Sequence, residues 1–283
     1  MEISEIFKLG KEYYLDSQYA DVNREIKMII SEVLNLEESY ITVHDDIEVN
    51  SDDEKKIFEI LNRRKNGEPL QYILGHQFFY KHDFVVDKNV LIPRYDTEIS
   101  VETILKAIKK NDRVLEIGCG TGCVSISIAL ERNYVKIDSI DISDYAIENT
   151  LKNVRKYNCE NIKVFKSDIY QNVTDKYDII YSNPPYIPTR EIEKLQIEVQ
   201  REPILALDGG CDGLSIYRRI IKDLDKYLTK QGFLILEIGY EQAKDITNLL
   251  GDYNTLVLKD LSGHDRVVIA TKGDIDVRKF RSF

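Results

Sequence analysis

Cysteine is scarce in this 283-residue chain, with four in all: Cys119, Cys123, Cys159 and Cys211. They form no C-x-x-C pair and have no neighbouring histidine, so zinc spacing and a disulfide scaffold are excluded and buried or reduced thiols are expected. The four histidines, His44, His76, His82 and His264, are scattered, and none has a nearby Ser or Cys in a nucleophile motif. Neither covalent catalysis nor a metal site is therefore expected. With 43% hydrophobic residues, only 14 glycines and only six prolines, the chain is neither disordered nor collagen-like. Apolar runs long enough to span a membrane are lacking. The start, Met1-Glu2-Ile3-Ser4-Glu5, is acidic where a signal peptide is basic, so a cytoplasmic protein without membrane contact is expected. Basic residues are in deficit, 39 Lys and Arg against 49 Asp and Glu, for a net charge of −10. That balance argues against stable binding along a nucleic-acid backbone, although a local basic patch stays open.

What is present is enough apolar residue for one large domain or two moderate ones. From Met1 to about Leu74 the spacing is helical, best seen in Val22, Ile26, Ile29, Ile30, Val33 and Leu34 on one face. Ser51 followed by Glu54 reads as a capping box, and Gly67 and Pro69 stop the helix that it opens. This gives a small helical domain over 1–74, serving either as packing or to present a macromolecular substrate. Between Gly75 and Ile92 the residues turn aromatic and β-branched, which predicts a hairpin linker. In the loop Pro93 to Thr97, Asp96 or Thr97 is expected to cap the next helix, and Arg94 either meets an anionic group or is solvated. Strand-like and helix-like runs then alternate from Val114 to Ile269. Such β–α units predict an α/β fold, a mostly parallel sheet with helices on both faces, over 75–283. Lys272 to Phe283, charged and past the last strand, is expected to be a solvated tail.

Two stretches carry chemistry. Glu116-Ile117-Gly118-Cys119-Gly120-Thr121-Gly122 follows the first strand, and its alternate glycines let the backbone approach a ligand at the start of a helix. Asp141 ends the second strand about 20 residues on, where an acid accepts ribose hydroxyls, so a nucleoside is the expected ligand. Farther along, a strand ending at Ser182 runs into Asn183-Pro184-Pro185-Tyr186. Two prolines end the hydrogen-bond ladder and free the Pro184 carbonyl. Asn183 adds a second acceptor and Tyr186 a flat face, so the tetrapeptide is either a rigid turn or a holder for a planar amine.

The G-x-G-x-G spacing, with Cys123 where a dinucleotide fingerprint has its third glycine, resembles the first motif of S-adenosylmethionine-dependent methyltransferases. That resemblance implies a Rossmann-like sheet and a cofactor site of Gly118, Cys119, Gly120, Thr121, Gly122, Asp141 and Asn183, with S-adenosylhomocysteine as product. It places Asp168 and Ile169, in Lys166-Ser167-Asp168-Ile169, beside adenine. Asn-Pro-Pro-Tyr resembles the motif of methyltransferases acting on planar nitrogens, with Asn183, Pro184 and Tyr186 in the catalytic role and Pro185 completing the acceptor site. Glu68-Pro69-Leu70-Gln71-Tyr72-Ile73-Leu74-Gly75, Leu91-Ile92-Pro93-Arg94, Arg201-Glu202-Pro203 and the run Ala206 to Leu214 narrow the resemblance to peptide chain release factor glutamine methyltransferases. The partner this implies is the Gly-Gly-Gln loop of release factors 1 and 2, held with the help of the N-terminal domain. Tyr95-Asp96 departs from the family's frequent Pro-Glu. Ile169 stands where an aromatic is frequent, so stacking on adenine is not carried over. A nucleobase-amine methyltransferase and a non-catalytic nucleoside-binding scaffold remain the alternative readings.

Overall fold

The computed structural model describes residues 1–14 and 21–281, and they gather into two compact units. The first comprises Met1–Gly75 together with Gln196–Arg201. Its helices span Ile3–Tyr13, Val22–Leu34, Glu38–Val43, Ser51–Lys65 and Leu70–Leu74. Ile26, Ile29 and Ile30 meet Ile3, Ile6, Ile57 and Leu61 in one buried cluster, as helical spacing of the apolar residues requires. The cap of Ser51–Lys65 lies one residue earlier than expected: the Asn50 side chain accepts from the amides of Asp52 and Asp53, both at 3.0 Å. Asn is as good a cap as Ser, and Ser51 becomes the first helical residue. Residues 196–201 interrupt the continuous second segment expected from sequence. Arg64, buried and paired with Glu25 at 2.7 Å, also reaches Glu198 at 3.6 Å, and a Cβ on Gly67 would press on Ile197.

The second unit, His76–Leu195 and Glu202–Phe283, opens with the expected hairpin, β1 (His76–Phe79) against β2 (His82–Val85). Its main sheet has seven strands: β3 (Arg113–Ile117), β4 (Lys136–Asp141), β5 (Ile162–Lys166), β6 (Tyr177–Ser182), β7 (Leu228–Glu237), β8 (Asn254–Lys259) and β9 (Asp265–Thr271). Their order is β5-β4-β3-β6-β7-β9-β8, parallel except that β9 runs against both neighbours. Apolar runs form these strands because both faces are covered: Val267 and Ile269 enter one core, Val268 and Ala270 the other. Chain order reverses between β3 and β6, which lie side by side. Ile117 pairs with Ser182 there, so Gly118 and Asn183 leave the two central strands at one level.

The tail from Lys272 is not simply solvated over its described residues; positions 282 and 283 of that expectation lie outside them. Residues Val277–Arg281 form a short helix, and Phe280 is fully buried, with its ring 6.0 Å from that of Phe233. Apolar burial overrides the charges that flank this residue, because a phenyl ring removed from water offsets the ordering of one helical turn. Replacing Phe280 with Ala is expected to lower unfolding stability by about 3 kcal/mol or more, read from the midpoint and slope of urea denaturation.

Candidate active site

The glycine loop between β3 and the helix Cys123–Glu131 turns on three left-handed residues, with φ of 79° at Gly118, 56° at Gly120 and 76° at Gly122. Gly122 has a second constraint: a Cβ there would sit 2.7 Å from the Thr150 side chain. A Cβ on Gly118 or Gly120 would meet nothing within 4 Å, so the bare side of the loop faces open space. That space is a cavity of about 460 Å³ at the carboxyl ends of the parallel strands, lined by Gly118, Cys119, Gly120 and Thr121.

Asp141, at the end of β4, is partly engaged in building the loop. Its Oδ2 accepts from the Gly120 amide at 3.1 Å and its Oδ1 from the Ser143 amide at 2.9 Å. A carboxylate has about four acceptor positions, so capacity remains for a hydroxyl donor from the cavity. Burial pushes its pKa above the ordinary aspartate value, and the backbone amides of Ser143, Gly120 and Ile142 oppose that shift. The open face of the glycines and the spare capacity of a half-buried acid fit a nucleoside with its ribose at Asp141. Asp168 and Ile169 line the same cavity, but Asp168 is also ion-paired with Arg219 at 2.7 Å. Ile169 has φ of 51°, a costly backbone state for a β-branched residue.

From β6, the Ser182 hydroxyl donates to the Ile117 carbonyl at 2.8 Å, tying the two central strand ends together. Asn183, Pro184 and Pro185 then line the cavity. Among the described residues, no hydrogen bond engages the Asn183 side chain or the Pro184 carbonyl. Tyr186 does not line the cavity with them. Its ring packs on the apolar core of the sheet, and its carbonyl accepts from Gln242 Nε2 at 2.9 Å. Burial also raises the pKa of its hydroxyl, which leaves that group protonated. The glycines after the helix Ile204–Leu207 let a second loop lie against this one. A Cβ on Gly209 would be 2.7 Å from the Pro185 carbonyl, and one on Gly213 would be 2.3 Å from that of Tyr186. Both thiols in the cavity wall are poor nucleophiles: burial drives the Cys119 pKa up and that of Cys123 up to about 12.

Several functional side chains had no readable signal in sequence. Arg94 meets an anionic group within the chain, the buried carboxylate of Glu202, which also accepts from the Ile92 amide at 3.0 Å, while its side chain stays partly exposed. Thr97 does not cap its helix; its hydroxyl donates to Glu237 Oε1 at 3.1 Å. Ser100 and Tyr181 reach Glu237 Oε2 at 3.3 Å and 3.5 Å. A second buried acid, Glu116, is held by Ser125 and by Ser139 at 3.5 Å. An acid directly after the apolar run Phe233–Leu236 was the one available hint of Glu237.

A parallel sheet with this switch point, a glycine loop and acid on two strand ends and an Asn-Pro-Pro-Tyr loop on a third defines a Rossmann-like methyltransferase. Known proteins agree: the methyltransferase small domain family matches residues 95–201, and the PrmC N-terminal domain family matches residues 5–75. A methyltransferase from Pyrococcus furiosus has the same fold at a TM-score of 0.52 and 17% identity, covering 68% of this chain and 89% of its own. Similarity in sequence is closer to two enzymes named release factor glutamine methyltransferase. The one from Clostridium botulinum is 36% identical over 258 residues, 88% of this chain and 91% of its own. That from Fusobacterium nucleatum is 38% identical over 277 residues, 95% of this chain and 78% of its own. The chain belongs to the release factor glutamine methyltransferase family.

Burial pushes the Glu116 carboxyl up to about 8 and the Glu237 carboxyl up to about 7, from an ordinary value of 4.5. Between the ordinary and the raised value the folded state keeps protons that the unfolded chain has released, so stability falls as pH rises through that window. Glu237→Gln removes one of the two groups. The variant is expected to gain on the wild type as pH rises from about 4.5 to about 7 and to hold that gain above it in urea unfolding, whereas a gap independent of pH would contradict the assignment.

Proposed function

We propose that this protein transfers a methyl group from S-adenosylmethionine to the side-chain amide nitrogen of the glutamine in the Gly-Gly-Gln motif of release factors 1 and 2, in the cytoplasm. The observation that carries the reading is the shared level of Gly118 and Asn183 at the ends of β3 and β6, which sets a nucleoside loop and an amine-holding loop on one cavity. Membership of the release factor glutamine methyltransferase family supports the acceptor. No helix among the described residues is long and apolar enough to cross a membrane.

In this reading Gly118, Cys119, Gly120 and Thr121 hold the nucleoside from the cavity wall, Gly122 serves by packing the turn against Thr150 and does not line the cavity, Asp141 accepts from the ribose, and Asp168 with Ile169 meets the adenine. S-adenosylmethionine supplies an electrophilic methyl on a sulfonium. The chain's task is the acceptor, because an amide nitrogen is a poor nucleophile with its lone pair delocalised into the carbonyl. Asn183 Oδ1 and the Pro184 carbonyl each accept one N–H of the amide, which fixes the nitrogen's orientation. Pro185 and Tyr186 hold that pair of acceptors in place, Tyr186 from the core side. Holding both N–H groups favours the geometry of attack more than it favours the free amide, which is how these contacts raise turnover. The helical unit, in this reading, helps hold the release factor.

Asn183→Ala is expected to lower turnover by about 10²-fold or more while leaving S-adenosylhomocysteine affinity within a few fold, since the contact serves the acceptor. Asp141→Ala is expected to do the opposite, weakening that affinity by about tenfold or more in calorimetry. The acceptor itself is settled by labelled S-adenosylmethionine offered with release factor, RNA and DNA in parallel. Label on release factor alone is expected. Label confined to nucleic acid would replace this reading with a nucleobase-amine methyltransferase, and cofactor binding without transfer to any acceptor would favour a scaffold.

A further inference from the structure

Asp168 lies in the wall between two cavities. With Ile169 and Arg219 it lines both the 460 Å³ space described above and a neighbour of about 410 Å³ bordered by Tyr170, Lys222 and Tyr227. The backbone here is pinned in a strained state. Ile169 stays at φ 51° because Ser167 Oγ donates to its carbonyl at 2.8 Å and accepts from the Asn172 amide at 3.1 Å. That bracket sets where residue 168 sits, but it leaves the Asp168 carboxylate free to rotate. Arg219, on the helix Ser215–Lys222, supplies the missing restraint: its Nη2 donates to Asp168 Oδ2 at 2.7 Å, and Oδ1 has no partner among the described residues.

We propose that Arg219 is a positioning residue for nucleobase selection: by engaging Oδ2 it holds the Asp168 carboxylate in one orientation, with the unbonded Oδ1 as the acceptor for an exocyclic amine, so that the cavity selects a 6-amino purine over a 6-oxo purine. The proposal rests on the cofactor reading above. A 6-oxo purine places a carbonyl where the amine would donate, and an oxygen facing a carboxylate oxygen finds no hydrogen. Selection therefore depends on the carboxylate being held in one orientation. As an exposed pair, Arg219 and Asp168 contribute modestly to stability, so removing the arginine alters selection more than folding.

The test is calorimetric binding of S-adenosylhomocysteine and S-inosylhomocysteine to the full chain and its variants. Wild type is expected to prefer the adenine compound. Arg219→Met is expected to cut that preference by about two- to fivefold with an unchanged thermal midpoint, and Arg219→Lys to restore part of it. Raised salt should erode the preference of wild type but not of Arg219→Met, because it screens an exposed pair. In an Asp168→Asn background the Arg219 substitution should have no further effect, since the two act through one carboxylate. An equal preference in wild type and Arg219→Met, or additive effects in the double variant, overturns the positioning role while wild-type affinity for S-adenosylhomocysteine upholds the cofactor reading. Wild type that binds neither compound overturns both.

Discussion

Parallel pairing of β3 with β6 is the constraint on which the rest of the site depends. Their register, Ile117 against Ser182, is reinforced where it ends by the Ser182 hydroxyl on the Ile117 carbonyl. Because side chains alternate faces along a strand, a slip of one residue would exchange the two cores and carry Asn183 away from Gly118. Apolar residues that alternate between the cores, such as Ile179 and Ile180, oppose that slip. The chemistry at the strand ends is thus positioned by packing some distance from it.

A second level of support holds the loops themselves. The loop Asn183 to Tyr186 has neither helix nor sheet to keep it in place after Ser182. Its exit is gripped by backbone bonds between Ile187 and the segment Leu207 to Gly209, and by Gln242 on the Tyr186 carbonyl. Gly209 and Gly213 are required there because their neighbours are carbonyl oxygens, which cannot move aside as a flexible side chain can. At the end of β4, Asp141 ties down Gly120 and Ser143 and keeps acceptor capacity toward the cavity. Charge is used sparingly. Arg94 and Glu202 pair across the cavity wall, and the two deeply buried acids are held chiefly by hydroxyls, with Arg266 adding a favourable charge near Glu237; burial outweighs these contacts and raises both pKa values.

Much of this was legible in the order of residues. Alternating strand-like and helix-like runs announce a parallel sheet because each strand buried on both faces must be apolar throughout, and each crossover must cover a face. The glycine loop and Asp141 are legible because their spacing follows from one short β–α–β unit. The unpartnered Pro184 carbonyl beside Asn183 was legible because two prolines in succession remove the donors that would continue the ladder. Tyr186 was not legible in the same way: a flat aromatic next to Asn183 and Pro184 suggests a wall of the cavity, yet its ring packs on the core of the sheet, where a Cβ on Gly239 would lie 3.3 Å from it.

What the sequence determined by itself is therefore local: which segments become strands or helices, where glycine permits a left-handed turn, and which atoms at a strand end lack a partner. Tertiary structure alone decided the partnerships between distant residues. Arg94 and Glu202 are 108 positions apart, Thr97 and Glu237 140, and Asp168 and Arg219 51. The charged end of the chain likewise became structure only because Phe280 found a pocket beside Phe233. The physical reason is common to all of these. Backbone preference is set within a few residues, whereas burial, the meeting of charges and the pKa of an enclosed acid depend on what the fold brings from elsewhere.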